Sequence, residues 1–135
     1  MAELKNPIKE AERYLDNAKQ ILSEKAEKDG NYYNDRKYVK MAGNTAWCGV
    51  LVALDAVTDV RTNLKKGQSL DLKDYQNAVL KKDKKYYQCF MSSYDILHKA
   101  MGYDGTLNYK VVQSGMEEAK TMVSWAAKHY KPQTV

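Results

Sequence analysis

The chain has 135 residues, 44% of them hydrophobic and 29% charged, with a net charge of +5. That length suits one domain around one continuous core, and that balance excludes a disordered chain. The longest apolar run, Ala46 to Leu54, is far short of the ~20 residues that span a bilayer, and the opening Met-Ala-Glu-Leu-Lys lacks the basic and apolar segments of a signal peptide.

The first predicted helix runs from Pro7 to about Lys28. Asn6 is a good N-cap, Pro7 suits the first helical position, and Ile8, Ala11, Leu15, Ala18 and Leu22 form one apolar stripe. Asp29-Gly30-Asn31 ends it. A second helix runs from Asp35 or Arg36 to about Arg61. Ala42, Ala46, Gly49, Ala53 and Ala56 make a stripe of small residues, and Trp47, Leu51, Leu54 and Val57 or Thr58 a bulky one. Cys48 and Val52 fill a third side, so this helix is apolar nearly all round and is expected at the centre. Thr62 to Ser69 is a polar connection. Asp71 then caps a short helix through Tyr75, Val79 and Leu80, with a break expected near Lys82-Asp83. A third long helix follows to about Met101 on Tyr86, Phe90, Tyr94, Leu97 and Met101. Gly102 to Gly105 is a turn. Asn108 caps a fourth long helix to about Tyr130, with Val112, Met116, Ala119, Val123, Ala126 and Tyr130 inward and Pro132 beyond its end. No stretch of strand length alternates apolar and polar residues. The expected fold is all-α, an antiparallel four-helix bundle with a short extra helix before the third long one, forming a single domain over residues 1–135 with its core at about 6–130.

Candidate chemistry is sparse. Asp95 and His98 share one helix face at the spacing of a carboxylate-histidine metal pair. The other histidine is His129, and even with Asp55 turned inward too few ligands gather; no metal and no cofactor are expected. Cys48 and Cys89 lie 41 residues apart in apolar patterns and read as two buried thiols of a reducing cytoplasm. Cys89 and His98 are too far apart along one helix to form a nucleophile and its base, and no phosphate-binding glycine loop occurs. Charge is uneven: residues 1–35 carry −2 and residues 36–85 carry +6. Within that basic middle, Lys81, Lys82, Lys84 and Lys85 precede Tyr86 and Tyr87, a mixture that suits nucleic acid. Eleven tyrosines stand against one phenylalanine. Tyr32, Tyr33, Tyr103 and Tyr109 fall in or beside loops and would line a pocket or an oligomer contact if one end of the bundle gathers them.

The pattern Tyr94-x-x-Leu97-His98, followed by Gly102-Tyr103-Asp104-Gly105, resembles an uncharacterised family of small bacterial helical proteins. So does Tyr38 to Val57 around Trp47, and the resemblance covers roughly residues 5–130. It implies no activity. More distantly the chain is similar to the HEPN superfamily of four-helix bundles (higher eukaryotes and prokaryotes nucleotide-binding). Its ribonucleases carry an arginine followed four to six residues later by histidine. Arg13, Arg36 and Arg61 have no such histidine, so the resemblance implies the fold and a binding role, not RNA cleavage. The expectation is a non-catalytic binding or self-association module of the bacterial cytoplasm, away from membranes, with a homodimer or an unidentified protein as partner. The alternative is a HEPN-like nucleotide- or RNA-binding protein using Lys81, Lys82, Lys84 and Lys85. Asp95, His98, Tyr103, Asp104 and Tyr109 are the expected ligand-binding residues, converging near one helix end.

Overall fold

The computed structural model describes residues 6–62 and 64–131. Helix α1 (Pro7–Ile21) starts where expected: the Asn6 side-chain oxygen accepts the N–H groups of Ile8 and Lys9 at 2.9 and 3.3 Å. It widens into a π-helical turn, Leu22–Ala26, so regular helix ends before the expected Lys28. Glu27 stops it with φ at +51°, outside the range a helix can use. The freed Ala26 carbonyl then accepts the N–H groups of Asn34 and Asp35. Between them, β1 (Lys28–Asp29) and β2 (Tyr32–Tyr33) form an antiparallel hairpin over Gly30, whose φ of +64° suits a residue without Cβ. Two-residue strands carry too few residues to show an alternating pattern, and the sequence reading missed them.

Helix α2 (Arg36–Val57) is capped by Asp35 and ends one turn earlier than expected. The Thr58 hydroxyl donates to the Leu54 carbonyl at 2.7 Å and accepts the Val60 N–H, drawing the backbone into an extended turn. Helix α3 (Leu72–Lys82) opens with a reciprocal capping box between Asp71 and Asp74. The break expected near Lys82-Asp83 is real. Asp83 is extended, and its carboxylate accepts the N–H of Lys85 at 3.1 Å and the indole N–H of Trp125 at 3.2 Å. Leu80, expected inward, is exposed. After a 3₁₀ turn, α4 (Tyr87–Ser93) continues without a break as a π-helical segment, Tyr94–Tyr103. Helix α5 (Tyr109–His129) begins at Asn108, whose side chain accepts the Val111 N–H. Pro132 lies outside the described residues.

All five helices and Tyr33 contribute to one buried cluster. The expected stripes of α1 and α5 are buried as read except at Tyr130, which follows the end of α5 and is half-buried; Phe90, Leu97 and Met101 are fully enclosed. Helix α2 is the hub: it packs on α1, on the π-helical segment and on α5. Cys48 corrects the reading that α2 is enclosed on every side. It is exposed, because α1 and the π-helical segment flank α2 and leave one of its faces uncovered. The close approaches are made at glycines. A Cβ on Gly43 would stand 2.6 Å from the Leu97 carbonyl oxygen and 2.6 Å from the Met101 Cβ. One on Gly49 would stand 2.9 Å from the Tyr14 Cβ and 3.0 Å from the Ala11 carbonyl oxygen. Both glycines face backbone atoms, which cannot swing aside.

Gly43→Ala is therefore expected to destabilise the fold by about 1–3 kcal/mol through overpacking, although alanine is the better helix former. Ala56→Gly, on the half-buried margin of the same helix, is expected to cost only about 1 kcal/mol. Urea denaturation measures both variants; a neutral or stabilising effect of Gly43→Ala would show that the two backbones are not in contact.

Candidate functional site

The tyrosines beside loops are brought together in part. The Tyr33 N–H donates to the Leu107 carbonyl at 2.9 Å, and the Tyr109 N–H donates to the Asn31 carbonyl at 3.0 Å. Tyr32 and Asn108 form an isolated antiparallel bridge. The short hairpin is thus stitched to the segment entering α5, across more than seventy residues of chain. This places the Tyr33 and Tyr109 rings 5.7 Å apart and tilted by 44°. The Gln113 amide, one turn further along α5, donates to the Tyr33 hydroxyl at 3.4 Å.

These rings wall a groove of about 410 Å³ between the end of α1, the hairpin and the first half of α5. That volume is in the range of small-molecule sites. Leu22 and Met116 add apolar surface, and Lys19, Lys28, Lys120 and Glu117 supply the charge. The Lys28 ammonium lies 3.8 Å from the centre of the Tyr109 ring, a cation–π contact. Among the described residues, no carboxylate pairs with Lys19, Lys28 or Lys120. Burial pushes the Tyr33 hydroxyl pKa up; the Gln113 hydrogen bond opposes the shift, and neighbouring Tyr109 adds to it. Tyr33 therefore meets a ligand as a neutral phenol. A second groove, about 270 Å³, continues along α1 and α5 and shares Lys19 and Lys120.

The other expected site residues lie elsewhere. Of Asp95, His98, Tyr103, Asp104 and Tyr109, only Tyr109 lines the groove, so their anticipated convergence does not occur there. Asp95 and Asp104 are exposed, and Tyr103 is 80% exposed at the end of the π-helical segment. His98 stacks on Tyr94 at 5.2 Å and lies 6.0 Å from Trp47, an aromatic patch on the outside of α2. Among the described residues, no three His, Cys, Asp or Glu side chains gather as a metal site. Asp55 instead accepts the Tyr75 hydroxyl at 2.8 Å and the Arg61 guanidinium at 3.0 Å. Lys81, Lys82, Lys84 and Lys85 are exposed at the corner between α3 and α4. Lys81 is held by Asp59 at 2.9 Å. Tyr86 packs on Trp125 at 5.3 Å and Tyr87 is half-buried against the core, so neither offers a free ring beside the lysines. The sequence reading missed Lys19, Lys28, Gln113 and Lys120. Their only signal is helical phase: Gln113, Glu117 and Lys120 recur at steps of 4 and 3 on one side of α5.

Residues 6–128 match a domain of unknown function, DUF5618. A solved protein of unknown function from Dyadobacter fermentans is 40% identical, with a TM-score of 0.79 over 90% of this chain and 93% of that one. No curated protein matches the chain. The chain belongs to the DUF5618 family, and its function is unknown. No helix among the described residues is long and apolar enough to cross a membrane.

The remaining polar core contacts carry a pH signature. Cys89, half-buried, points its thiol at the Glu118 carboxylate at 2.8 Å. Burial, then that hydrogen bond, then the carboxylate charge push the thiol to about 12. Tyr75 is also pushed to about 12, by burial and by its bond to Asp55. For both groups the unfolded chain releases its proton first. Their contribution is fully present below pH 9 and is lost as pH rises towards 12. Cys89→Ala is expected to flatten the fall in stability across that window, measured by denaturant titrations at stepped pH; an unchanged slope would mean that the thiol is not held protonated by the fold.

Proposed function

We propose that this protein is a non-catalytic binding module that seats a small anionic ligand with a planar or apolar portion in the groove between α1, the hairpin and α5. In this reading α1, α2, α4 with its π-helical extension, and α5 act as an antiparallel four-helix bundle, with α3 as the extra helix. The observation that carries it is the composition of the groove: Lys19, Lys28 and Lys120 without carboxylate partners among the described residues, around the ring pair Tyr33 and Tyr109. The lysines supply positive potential for a carboxylate or phosphate. The rings and Met116 supply a surface for a flat group. Lys28 already covers the Tyr109 face, so a ligand would trade that contact for its own charge and ring. Glu117 and the Gln113 amide offer polar partners that would set its orientation. Nothing in this set activates a nucleophile, which is why the reading is of binding and not of turnover. The two unpaired thiols suit the expected bacterial cytoplasm.

Native mass spectrometry of the purified protein is the direct test, followed by thermal shift with a panel of aromatic carboxylates and nucleoside monophosphates. A released mass, or a raised melting temperature with one class of the panel, is the expected result. Lys28→Ala and Lys120→Ala should each weaken binding at least about tenfold, equivalent to roughly 1.4 kcal/mol, while shifting unliganded stability by no more than about 0.5 kcal/mol. Unchanged affinity in the double variant, or no binding across the panel, would overturn the assignment of the groove. A bound RNA fragment displaced by changes at Lys82, Lys84 and Lys85 would instead favour the HEPN-like alternative.

A further inference from the structure

Helix α2 presents an uncovered face. Met41 is 47% exposed, Cys48 is exposed, and Leu51 and Val52 are half-buried. No charged residue stands between Lys40 and Asp55. A surface helix normally turns a charged side to water, and this one turns an uncharged side over about four turns. The face is bordered by Tyr14, Asn17 and Ile21 of α1, which line a groove with Thr45, and by the Tyr94–His98 stack on the other side.

The ends of the same face carry opposite charge, and in an unusual sense. Past the Asp35 cap, the first turns hold Arg36, Lys37 and Lys40, while Asp55 and Asp59 stand at the far end. A helix is favoured by the reverse arrangement, acids at its N-terminus and bases at its C-terminus. An antiparallel neighbour would meet both ends with their complements. The spacing suits a copy of the same helix. Lys37, Met41, Asn44, Cys48, Leu51 and Asp55 follow steps of 4, 3, 4, 3 and 4. That series reads the same in both directions about residue 46. An antiparallel pair with its two-fold axis at that level sets Lys37 opposite Asp55, Met41 opposite Leu51, and Asn44 opposite Cys48 of the other copy.

We infer that this face of α2 is a self-complementary surface on which a second copy of the chain docks in antiparallel orientation. The surface is separate from the lysine–tyrosine groove, and neither reading depends on the other. Asp55 and Asp59 already receive Arg61 and Lys81 of their own chain, but a carboxylate has room for further donors. Charge complementarity therefore sets the direction of docking, and the uncharged middle supplies the area. Asn44, whose amide reaches the Gly102 carbonyl at 3.5 Å, is the polar residue near the axis and helps to fix the register: sliding by a turn one way would bury it against Leu51, and sliding the other way would set it against itself but part Lys37 from Asp55.

Sedimentation equilibrium of the full chain, with Cys48 crosslinking, tests this. At helix separations of 8–10 Å, the two Cys48 Cα atoms on the facing sides would lie about 8 Å apart. The wild type is expected to dimerise, and a short bis-maleimide is expected to join Cys48 to Cys48. Met41→Lys and Cys48→Arg are expected to weaken the dimer at least about tenfold with the circular dichroism spectrum intact. Both sites are exposed, and should one variant misfold, the other and the crosslink decide. A strictly monomeric wild type overturns the inference. So does a dimer that both substitutions leave intact and that forms no Cys48 link, or a monomer whose Cys48 is shielded by a different co-purifying protein.

Discussion

Two positions without a side chain on α2 set the distances on which the rest of the molecule depends. At Gly43 the helix backbone lies against the backbone of the π-helical segment, and at Gly49 it lies against α1. Dispersion falls steeply with separation, and a gap below one ångström forfeits a large part of it. A hub helix that approaches both neighbours this closely buries its remaining stripe with few voids. Ala42, Ala46 and Ala53 are fully enclosed, as are Val50 and Leu54. Bulk is then supplied from the flanks. Trp47 lies 5.6 Å from both Phe90 and Tyr94, covering the seam that the glycines leave narrow.

The same closeness accounts for where α4 changes character. Its π-helical stretch begins at Tyr94 and covers the residues that face Gly43, namely Leu97, Met101 and Gly102. Ahead of it, the Ser93 hydroxyl donates back to the Cys89 carbonyl at 2.9 Å, a bond that bends helices. The segment ends with the Asp104 N–H reaching the Lys99 carbonyl, five residues back. Arg36 then ties the Asp104 and Gly105 carbonyls to the start of α2 at 3.0 Å each. The loop from 104 to 108 is thereby fixed at the end of the molecule where the hairpin sits. The groove is a consequence of that anchoring, since its Tyr109 wall follows directly from the loop.

Local chemistry carried most of what could be read from the sequence. Asn6-Pro7, Asp71 with Asp74, and Asn108 cap their helices through contacts within three residues. The apolar stripes need only helical phase. The break at Asp83 was legible from the lysines around it, though its stabilising partner, the Trp125 indole, is 42 residues away and was not. The errors share one cause. The hairpin at Tyr32 and Tyr33 is held by the Tyr33 N–H donating to the Leu107 carbonyl and the Tyr109 N–H donating to the Asn31 carbonyl, and no composition rule encodes pairing with so distant a segment. Cys48 looked buried because α2 is apolar all round, and apolar character cannot distinguish a core from an uncovered face. Tyr109 was foreseen as a site residue; the lysines around it were indistinguishable from other solvated charges until α1 and α5 were set side by side.

The excess of tyrosine over phenylalanine follows the same geometry. The single phenylalanine, Phe90, is fully enclosed, where a hydroxyl would need a partner that the surrounding aliphatic and aromatic groups cannot supply. Tyr32 and Tyr103 are exposed, but other tyrosines occupy the margins, where the ring is covered and the hydroxyl can still be satisfied. Tyr75 gives its proton to Asp55, and Tyr33 accepts from Gln113. Tyr94 is covered by His98 and Tyr86 by Trp125. Tyr109 differs from these. One side of its surroundings is Tyr33, and one face of its ring is covered by the Lys28 ammonium, 3.8 Å from the ring centre. An exposed cation that covers a ring can be displaced at little cost by another flat or charged group. That asymmetry, more than the count of tyrosines, separates the groove from ordinary packing at the edge of the helices.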